Sequence, residues 1–235
     1  MVQVYKATDI GLVRQVNEDS LAAIEPDTYI VADGMGGHVA GEVASHILVE
    51  TAHTILDSDV TYSEKLLQTV VLRANNAILD AIRSHPEYAG MGTTATIFHR
   101  EGNIGIWAHV GDSRIYLLRH GMLQQLTRDH SLVSDLVANG SITPEEARIH
   151  PQRNVLMRAV GVEEELLVDT GQLELFPGDC LLLCTDGLTN MVTNEEIREI
   201  LLQENHEDKA AVLIRKALAG GGRDNVTAIV VQYDA

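Results

Sequence analysis

The chain has 235 residues, 34 of them acidic and 17 basic, which leaves a formal net charge of −17 with histidine neutral. A hydrophobic fraction of 45% and a charged fraction of 22% are typical of a globular protein and exclude disorder for the bulk of the chain. The acidic excess disfavours nucleic-acid and membrane-surface partners, because both are bound through basic patches.

No apolar run reaches the length of about 18 residues that a membrane-spanning helix needs. The segment Met1–Lys6 lacks the basic start and apolar stretch of a signal peptide. We therefore expect a cytoplasmic protein, and we expect it to be a monomer. The cysteines Cys180 and Cys184 would lie about 13 Å apart along a strand, too far for a disulfide, which predicts two reduced core thiols.

Short apolar runs bounded by turn residues predict a series of strands. In chain order they are Ser20–Ile24, Thr28–Ala32, Thr94–His99, Asn103–Val110, Ile115–Leu118, Leu123–Leu126, Cys180–Thr185 and Val226–Gln232. Several neighbours are separated by two or three turn residues, such as His120-Gly121, which predicts antiparallel hairpins.

Helical periodicity fills the gaps between these strands. Apolar residues recur at a spacing of three to four in Val39–Leu56 and from about Ser63 to Ile82. A hydroxyl followed three residues later by glutamate predicts capped helix starts at Thr143 and Thr193, and a last helix is expected near Asp208–Ala219. The order of the elements predicts an α+β fold, with a helical insertion at Ser131–Arg158 that we expect to be a mobile surface element.

Five aspartates share one local setting, at the end of an apolar run beside Gly, Ser or Asn. They are Asp19, Asp33, Asp112, Asp186 and Asp224. Each one alone is typical of a turn, because Asp and Gly favour turns for backbone reasons. The five together favour a functional site, since antiparallel strands bring the ends of several hairpins to one rim of a sheet.

Carboxylates that converge in this way repel each other. A pair about 6 Å apart costs about 2–3 kcal/mol at an effective dielectric constant near 20, so cations are needed among them. Oxygen ligands without a thiolate or a close histidine pair prefer Mg²⁺ or Mn²⁺ over Zn²⁺. The sequence therefore predicts a multinuclear site for such ions.

Seven segments in order carry a more specific pattern: TDIGLVRQVNEDS, VADGMGGHVAGE, MGTTAT, HVGDSRIY, DHS, CTDGL and GGRDNVT. From about Thr8 to Val231, their order and spacing resemble the bacterial form of the type-2C, metal-dependent protein serine/threonine phosphatase family. The resemblance implies a single phosphatase domain over residues 1–235, with a helical flap at about residues 131–158. It also implies a four-layer α-β-β-α sandwich of two antiparallel β-sheets flanked by helices.

The resemblance further implies roles for individual acidic residues. Asp33 would bridge two metal ions, with the Gly34 carbonyl on one ion and Asp186 and Asp224 on the other. Asp112 would join Asp186 at a third ion.

Three more positions follow from the same resemblance. Glu18 and Asp19 would hold metal-bound waters. Arg14 would clamp the substrate phosphate, a role that suits a planar, bidentate donor.

The implied reaction is attack on phosphorus by a hydroxide that bridges two Mn²⁺ or Mg²⁺ ions. The leaving alkoxide needs a proton, and the histidine that follows the Asp-Gly pair in animal members is replaced here by Met35. His38 is a nearby candidate for this acid, although it is also typical of a turn histidine, and a metal-bound water is the alternative.

The implied substrates are proteins that carry phosphoserine or phosphothreonine, so the enzyme would counteract a bacterial Ser/Thr kinase. A dedicated phosphatase of one small regulator protein is a second interpretation. A catalytically inactive binding module on the same fold is a third, and it predicts losses among the metal-binding aspartates.

Overall fold

The computed structural model describes residues 2–36, 40–56, 60–203 and 207–233. The strands found there are β1 (Val2–Asp9), β2 (Asp19–Ile24), β3 (Thr28–Met35), β4 (Gly92–Thr93), β5 (Ala95–Glu101), β6 (Ile104–Val110), β7 (Arg114–Arg119), β8 (Met122–Gln125), β9 (Asp169–Glu174), β10 (Cys180–Cys184) and β11 (Val226–Tyr233). One sheet has the order β1-β11-β10-β7-β8, and the other has the order β2-β3-β5-β6-β9 with β4 paired to β3. The paired strands are antiparallel, as the hairpin pattern predicts.

The described helices are α1 (Ala40–Ile55), α2 (Glu64–Ser84), α3 (Leu132–Ala138), α4 (Pro144–Ile149), α5 (Asp186–Thr189), α6 (Asn194–Leu202) and α7 (Lys209–Ala219). Both predicted capping boxes are present. The Thr143 and Thr193 hydroxyls accept from the backbone N–H of Glu146 and Glu196, and the carboxylates of these glutamates accept from the backbone N–H of the same two threonines. In the part of the chain that is described, no helix combines the length and apolar character needed to cross a membrane.

Alternating side chains build three apolar layers. In β10, Leu181 and Leu183 point between the two sheets, where they pack with residues such as Val31 and Ile229. The intervening residues Cys180, Leu182 and Cys184 face the outer side, among buried residues of α6 and α7. Both cysteines are buried and free, as predicted.

The outer face of the second sheet is covered by α1 and α2. Ile30 and Ala32 of β3 pack there against the apolar stripes of both helices, which include Leu48 and Val70. Each sheet thus has helices outside and the other sheet inside, which confirms the four-layer α-β-β-α sandwich.

Two edge strands were not predicted. β1 pairs with β11, and β9 pairs with β6, each along one side only. Their sequences, VQVYKATD and DTGQLE, mix polar and apolar residues, because an edge strand is largely exposed. These two segments become extended only because they pair with distant strands, and the local sequence does not indicate that pairing.

The segment predicted as a helical insertion contains α3 and α4, and we call residues 131–158 the flap segment. Its two ends meet in an isolated antiparallel bridge between Ser131 and Leu156. Backbone hydrogen bonds from Leu132 to Val155 and from Met157 to His130 continue this bridge. The flap segment therefore leaves the sandwich and returns to it at one place.

Candidate active site

The predicted site residues come from different strands but from one end of the sandwich. β3, β6 and β10 finish there, and β2 and β11 begin there. The register places Asp19 opposite Asp33 across β2 and β3. Because neighbouring strands are antiparallel, segments far apart in sequence deliver their turn residues to the same rim.

A cavity of about 260 Å³ opens at this rim. Its lining contains one arginine and five carboxylates together with backbone and apolar groups: Arg14, Glu18, Asp33, Gly34, Met35, Gly36, Thr94, Asp112, Asn154, Leu156, Asp186 and Asp224. We call it the site cavity. It brings together the predicted site residues except Asp19, which lies behind it, and His38, which lies outside the described residues.

The Asp33-Gly34 pair is held where β3 meets the start of α1. The Asp33 N–H donates to the Thr94 hydroxyl at 2.9 Å, and the Gly34 N–H donates to the Glu18 carbonyl at 3.1 Å. A Cβ on Gly34 would lie 2.2 Å from the Gly41 carbonyl oxygen, so no side chain fits at that position. The glycine therefore lets helix α1 begin directly against the strand that carries Asp33.

The Asp186-Gly187 pair is built on the same principle. Asp186 is the first residue of α5 and is separated from β10 by Thr185 alone. Its Oδ2 accepts from the Asn190 amide at 3.0 Å. A Cβ on Gly187 would lie 1.9 Å from the carbonyl oxygen of Asn225. This close approach brings the start of α5 against the segment that carries Asp224.

Arg14 and Asp224 form the outer edge of the site. The Arg14 Nη2 lies 2.9 Å from Asp224 Oδ2, and the Arg14 side chain is 47% exposed. Hydrogen bonding to Asp224 raises the pKa of Arg14, so the guanidinium stays charged. Because one nitrogen is tied to Asp224 while about half of the side chain faces solvent, the remaining donors are available to an anion.

Asn225 ties this edge to the rest of the site, a role that the motif GGRDN alone did not reveal. Its amide nitrogen donates to the carbonyls of Ile10 and Val16 at 2.9 and 3.0 Å, and its oxygen accepts from the Glu18 N–H at 2.8 Å. The loop that carries Arg14 is therefore held on both sides by one side chain, that of the residue directly before β11.

Asp19 is withdrawn from the cavity and is only 8% exposed. Its Oδ2 accepts from the hydroxyls of Thr185 and Thr227 at 2.9 and 2.6 Å. Its other oxygen, Oδ1, and the Glu18 Oε1 are buried without a hydrogen-bond partner among the described residues. Buried carboxylate oxygens without partners are costly, so both point to a missing polar or cationic ligand.

Carboxylate charges dominate the electrostatics of the site. Burial raises the pKa of Asp33 well above its ordinary value, and the charges of Asp19 and Asp186 raise it further. Burial and the charge of Asp186 likewise raise the pKa of Asp112. For Asp186, burial and Asp224 raise the pKa while hydrogen bonds with Asp33 and Asn190 lower it.

Burial also raises the pKa of Asp19 to about 7, against the lowering effect of its two threonine donors. These directions have one physical cause, which is negative charge gathered in a poorly solvated place. A bound cation would relieve it.

The donor set fits hard divalent ions. The groups that face the cavity include carboxylates and the Gly34 backbone, with no cysteine or histidine in the described lining. Among the described residues, no three His, Cys, Asp or Glu side chains already converge as ligands of a single ion. Mg²⁺ commonly uses one or two carboxylates and completes its shell with water, which the cavity allows.

Other residues of the site also had no predicted role, among them Thr94, Asn154 and Leu156. Thr94 supports Asp33 and also pairs with the Ser113 hydroxyl at 2.7 Å, next to Asp112. The flap segment contributes Asn154 and Leu156 to the cavity wall. In the sequence, a threonine after a glycine is only a weak indication of a site residue such as Thr94. The residues of the flap segment reach the site only through tertiary folding, so the sequence gives no indication of their role.

Comparison with known proteins identifies the family of the chain. The family model described as "Protein phosphatase 2C" matches residues 13–219. The chain is 42% identical over 240 residues to the "Serine/threonine phosphatase stp" of Listeria monocytogenes, and the alignment covers 97% of this chain and 94% of that protein.

Solved structures are similar over the whole chain. The crystal structure of the Mycobacterium tuberculosis serine/threonine phosphatase PstP/Ppp has a TM-score of 0.93 and 41% identity, covering 100% of this chain and 99% of that one. A PstP catalytic domain in complex with two manganese ions has a TM-score of 0.91 and 39% identity, with coverage of 100% and 99%. The family match, the full-length similarity and the shared fold lead to one conclusion: this chain is a member of the protein phosphatase 2C family.

Proposed function

We propose that this protein hydrolyses phosphoserine and phosphothreonine in protein substrates. The observation that carries the proposal is the site cavity, where a half-exposed Arg14 lies beside carboxylates delivered by separate strands. This combination suits a phosphate anion that is bound with divalent cations. Related proteins named as serine/threonine phosphatases support the choice of substrate.

We further propose that the site takes two Mn²⁺ or Mg²⁺ ions, since a related catalytic domain is described with two manganese ions. Asp33, the Gly34 carbonyl, Asp186 and Asp224 would hold them. Asp112 would join Asp186 at a third ion.

Behind these ligands, Glu18 and Asp19 would order metal-bound water through the buried oxygens that lack a partner. When bound, the ions supply an activated water nucleophile and offset the charge of the phosphoryl oxygens.

The residues of the chain do the positioning. Arg14 orients the phosphoryl group with the donors that Asp224 leaves free, and Asp224 in turn fixes the guanidinium at the mouth of the cavity. Thr94 and Glu18 hold the backbone of Asp33 and Gly34 through hydrogen bonds at 2.9 and 3.1 Å. This rigid support keeps the reacting groups in line, which is the main requirement of phosphoryl transfer.

Two candidates are proposed as the proton donor to the leaving alkoxide, His38 and a water molecule. Met35 lines the cavity and has no proton to give. His38, which we predict as a candidate acid, lies outside the described residues. Water at the site is the alternative donor.

In the cell, the protein would oppose a Ser/Thr kinase on shared phosphoprotein substrates, and we propose that it acts as a cytoplasmic monomer. Residues 1–235 would form one phosphatase domain, with residues 131–158 as its flap. An inactive binding module is not favoured, because Arg14 and the five aspartates are all present.

The test is phosphate release from phosphoserine and phosphothreonine peptides in the presence of Mn²⁺, Mg²⁺, Ca²⁺ or EDTA. We expect turnover with Mn²⁺ or Mg²⁺ and its loss in EDTA, restored when Mn²⁺ is added in excess. Undiminished hydrolysis after chelation would contradict the metal assignment, and no hydrolysis under any metal would contradict the proposed activity.

A further inference from the structure

A second, larger cavity of about 500 Å³ lies beside the site cavity. Its walls come from α3 and α4 of the flap segment on one side and from β7, β8 and α5 on the other, and we call it the flap cavity. It shares Asp112 and Asp186 with the site cavity. Its volume is in the range of about 300–1,000 Å³ that is usual for binding pockets.

The flap cavity is rich in arginine for a chain whose net charge is −17, and Asp112, Asp129 and Asp186 also line it. Its lining includes four arginines: Arg114, Arg128, Arg148 and Arg153. Two of them are already paired, Arg114 with Asp129 at 2.6 Å and Arg128 with Asp135 at 2.7 Å.

The other two arginines, Arg148 and Arg153, are exposed at the end of α4 and just after it. Within the described ranges, neither side chain has an ion pair or a hydrogen bond. Two free guanidinium groups therefore face the same cavity, where they are available to acidic ligands.

The two cavities are neighbours along the flap segment. Arg153 lines the flap cavity, whereas its neighbour Asn154 lines the site cavity together with Leu156. An extended chain whose phosphorylated residue occupies the site cavity would pass Asn154 and enter the flap cavity. The shared wall at Asp112 and Asp186 lies on the same route.

We propose that the flap cavity binds an acidic stretch of the phosphoprotein substrate next to the phosphorylated residue, with Arg148 and Arg153 as its cationic contacts. The inference rests on the proposed phosphatase activity and adds a substrate preference to it. A phosphopeptide is repelled by the overall negative field of the protein, so local arginines at the entrance contribute both to encounter and to selectivity. The free guanidinium groups provide the planar donors that side-chain carboxylates accept.

The experiment compares three phosphothreonine peptides of one sequence that carry glutamate, glutamine or lysine at the positions flanking the phosphoresidue. The Mn²⁺-loaded wild-type protein should favour the glutamate peptide over the glutamine peptide by about fivefold in kcat/KM, which corresponds to two exposed charge pairs. In R148A/R153A this ratio should fall to about one, and in R148E/R153E the lysine peptide should become the best substrate. The double variant K65A/R73A removes two exposed charges from α2 and should keep the wild-type ratio.

A wild-type ratio near one, or a ratio that survives in R148A/R153A, would overturn the inference. Circular dichroism of each variant checks that the fold is kept. A binding assay separates this inference from the proposed activity: the unphosphorylated glutamate peptide, labelled with fluorescein, should lose affinity in R148A/R153A by fluorescence polarisation. If none of the three phosphopeptides were hydrolysed but this binding difference appeared, the activity would be wrong and the acidic-peptide site would stand.

Discussion

Asp33 is the residue on which the charge balance of the site depends. It lies opposite Asp19 in the sheet register, and its pKa is raised by burial and by the charges of four other aspartates. Without cations, this carboxyl therefore opposes folding at neutral pH. With cations, the same carboxyl becomes a ligand. The side chain that the activity needs is therefore one that lowers the stability of the metal-free protein.

Asp33→Asn tests this conflict. We expect Mn²⁺-dependent hydrolysis of p-nitrophenyl phosphate to fall at least about a hundredfold, because a shared ligand is lost. The metal-free variant should be more stable than the metal-free wild type by about 1–2 kcal/mol, since the amide removes one repelling charge. Thermal unfolding in EDTA and in Mn²⁺ measures both effects.

The wild type should also gain stability from Mn²⁺, by about 2.7 kcal/mol at a concentration 100 times the dissociation constant, while the variant should gain far less. Asp80→Asn, at an exposed position of α2, is the matched control and should leave both properties unchanged. Full activity in Asp33→Asn would remove this residue from the metal site.

Arg14 acts on the substrate rather than on the ions. In Arg14→Ala, we expect KM for a phosphothreonine peptide to rise about tenfold or more, because a charge-assisted bidentate contact is lost. The concentration of Mn²⁺ that gives half-maximal activity should change much less. Steady-state kinetics at varied peptide and at varied Mn²⁺ separate the two effects, and the opposite pattern would assign Arg14 to the metal site.

At the scale of elements, one buried histidine joins the flap segment to the site. His130 precedes the flap segment, and its Nδ1 accepts from the Gly111 N–H at 3.1 Å. Its ring is therefore protonated at Nε2, which donates to Asp169 of β9 at 3.0 Å. Its own backbone N–H donates to the Gly111 carbonyl at 2.7 Å, directly before Asp112.

Replacing His130 should loosen this junction. His130→Ala leaves the buried Gly111 N–H without its acceptor and removes one of the two donors to Asp169, the other being Arg158. We expect a loss of about 1–3 kcal/mol in the free energy of unfolding. Limited proteolysis should cut residues 131–158 faster than in the wild type. His130→Asn, which keeps an acceptor near the position of Nδ1, should recover part of the loss.

His53→Ala, on the exposed face of α1, serves as the control for loss of an imidazole and should leave stability within about 0.5 kcal/mol of the wild type. Equal stability and equal proteolysis in His130→Ala would show that the flap segment is held by other contacts.

At the scale of the whole molecule, the two sheets are joined by polar contacts as well as by the apolar layer between them. Asp19 begins β2 in one sheet, whereas Thr227 belongs to β11 in the other, and their side chains meet at 2.6 Å. Thr185, directly after β10, is a second donor to the same carboxylate oxygen. The rim that carries the site is thus also a place where the sandwich is tied together.

Thr227→Val keeps the shape of the side chain and removes the donor. We expect the free energy of unfolding to fall by about 1–3 kcal/mol, because a buried carboxylate loses one of two partners. Chemical denaturation measures the change, with Thr54→Val on α1 as a control that alters a hydroxyl outside this network. An unchanged midpoint would mean that the contact between Thr227 and Asp19 does not stabilise the fold.

Local chemistry was enough to predict many features of this protein. The strands β3, β5, β6, β10 and β11 and the two capped helices follow from short-range periodicity and from hydroxyl-glutamate pairs, and these signals act within a few residues. The aspartates beside strand ends were visible for the same reason, and the segments around them carry the resemblance that the family match confirms.

What the sequence did not reveal depends on contacts between distant segments. The edge strand β1 becomes extended only against β11, more than 200 residues away. The pairing of Arg14 with Asp224 spans 210 residues, and the burial of Asp19 behind Thr185 and Thr227 depends on how the sheets meet. The flap cavity exists only because the flap segment folds back beside β7, β8 and α5. The sequence by itself determined the elements and the chemistry of the side chains, whereas the tertiary structure decided which of them meet. The physical reason is that bringing distant segments together costs loop-closure entropy, and only the many contacts of the folded chain offset this cost.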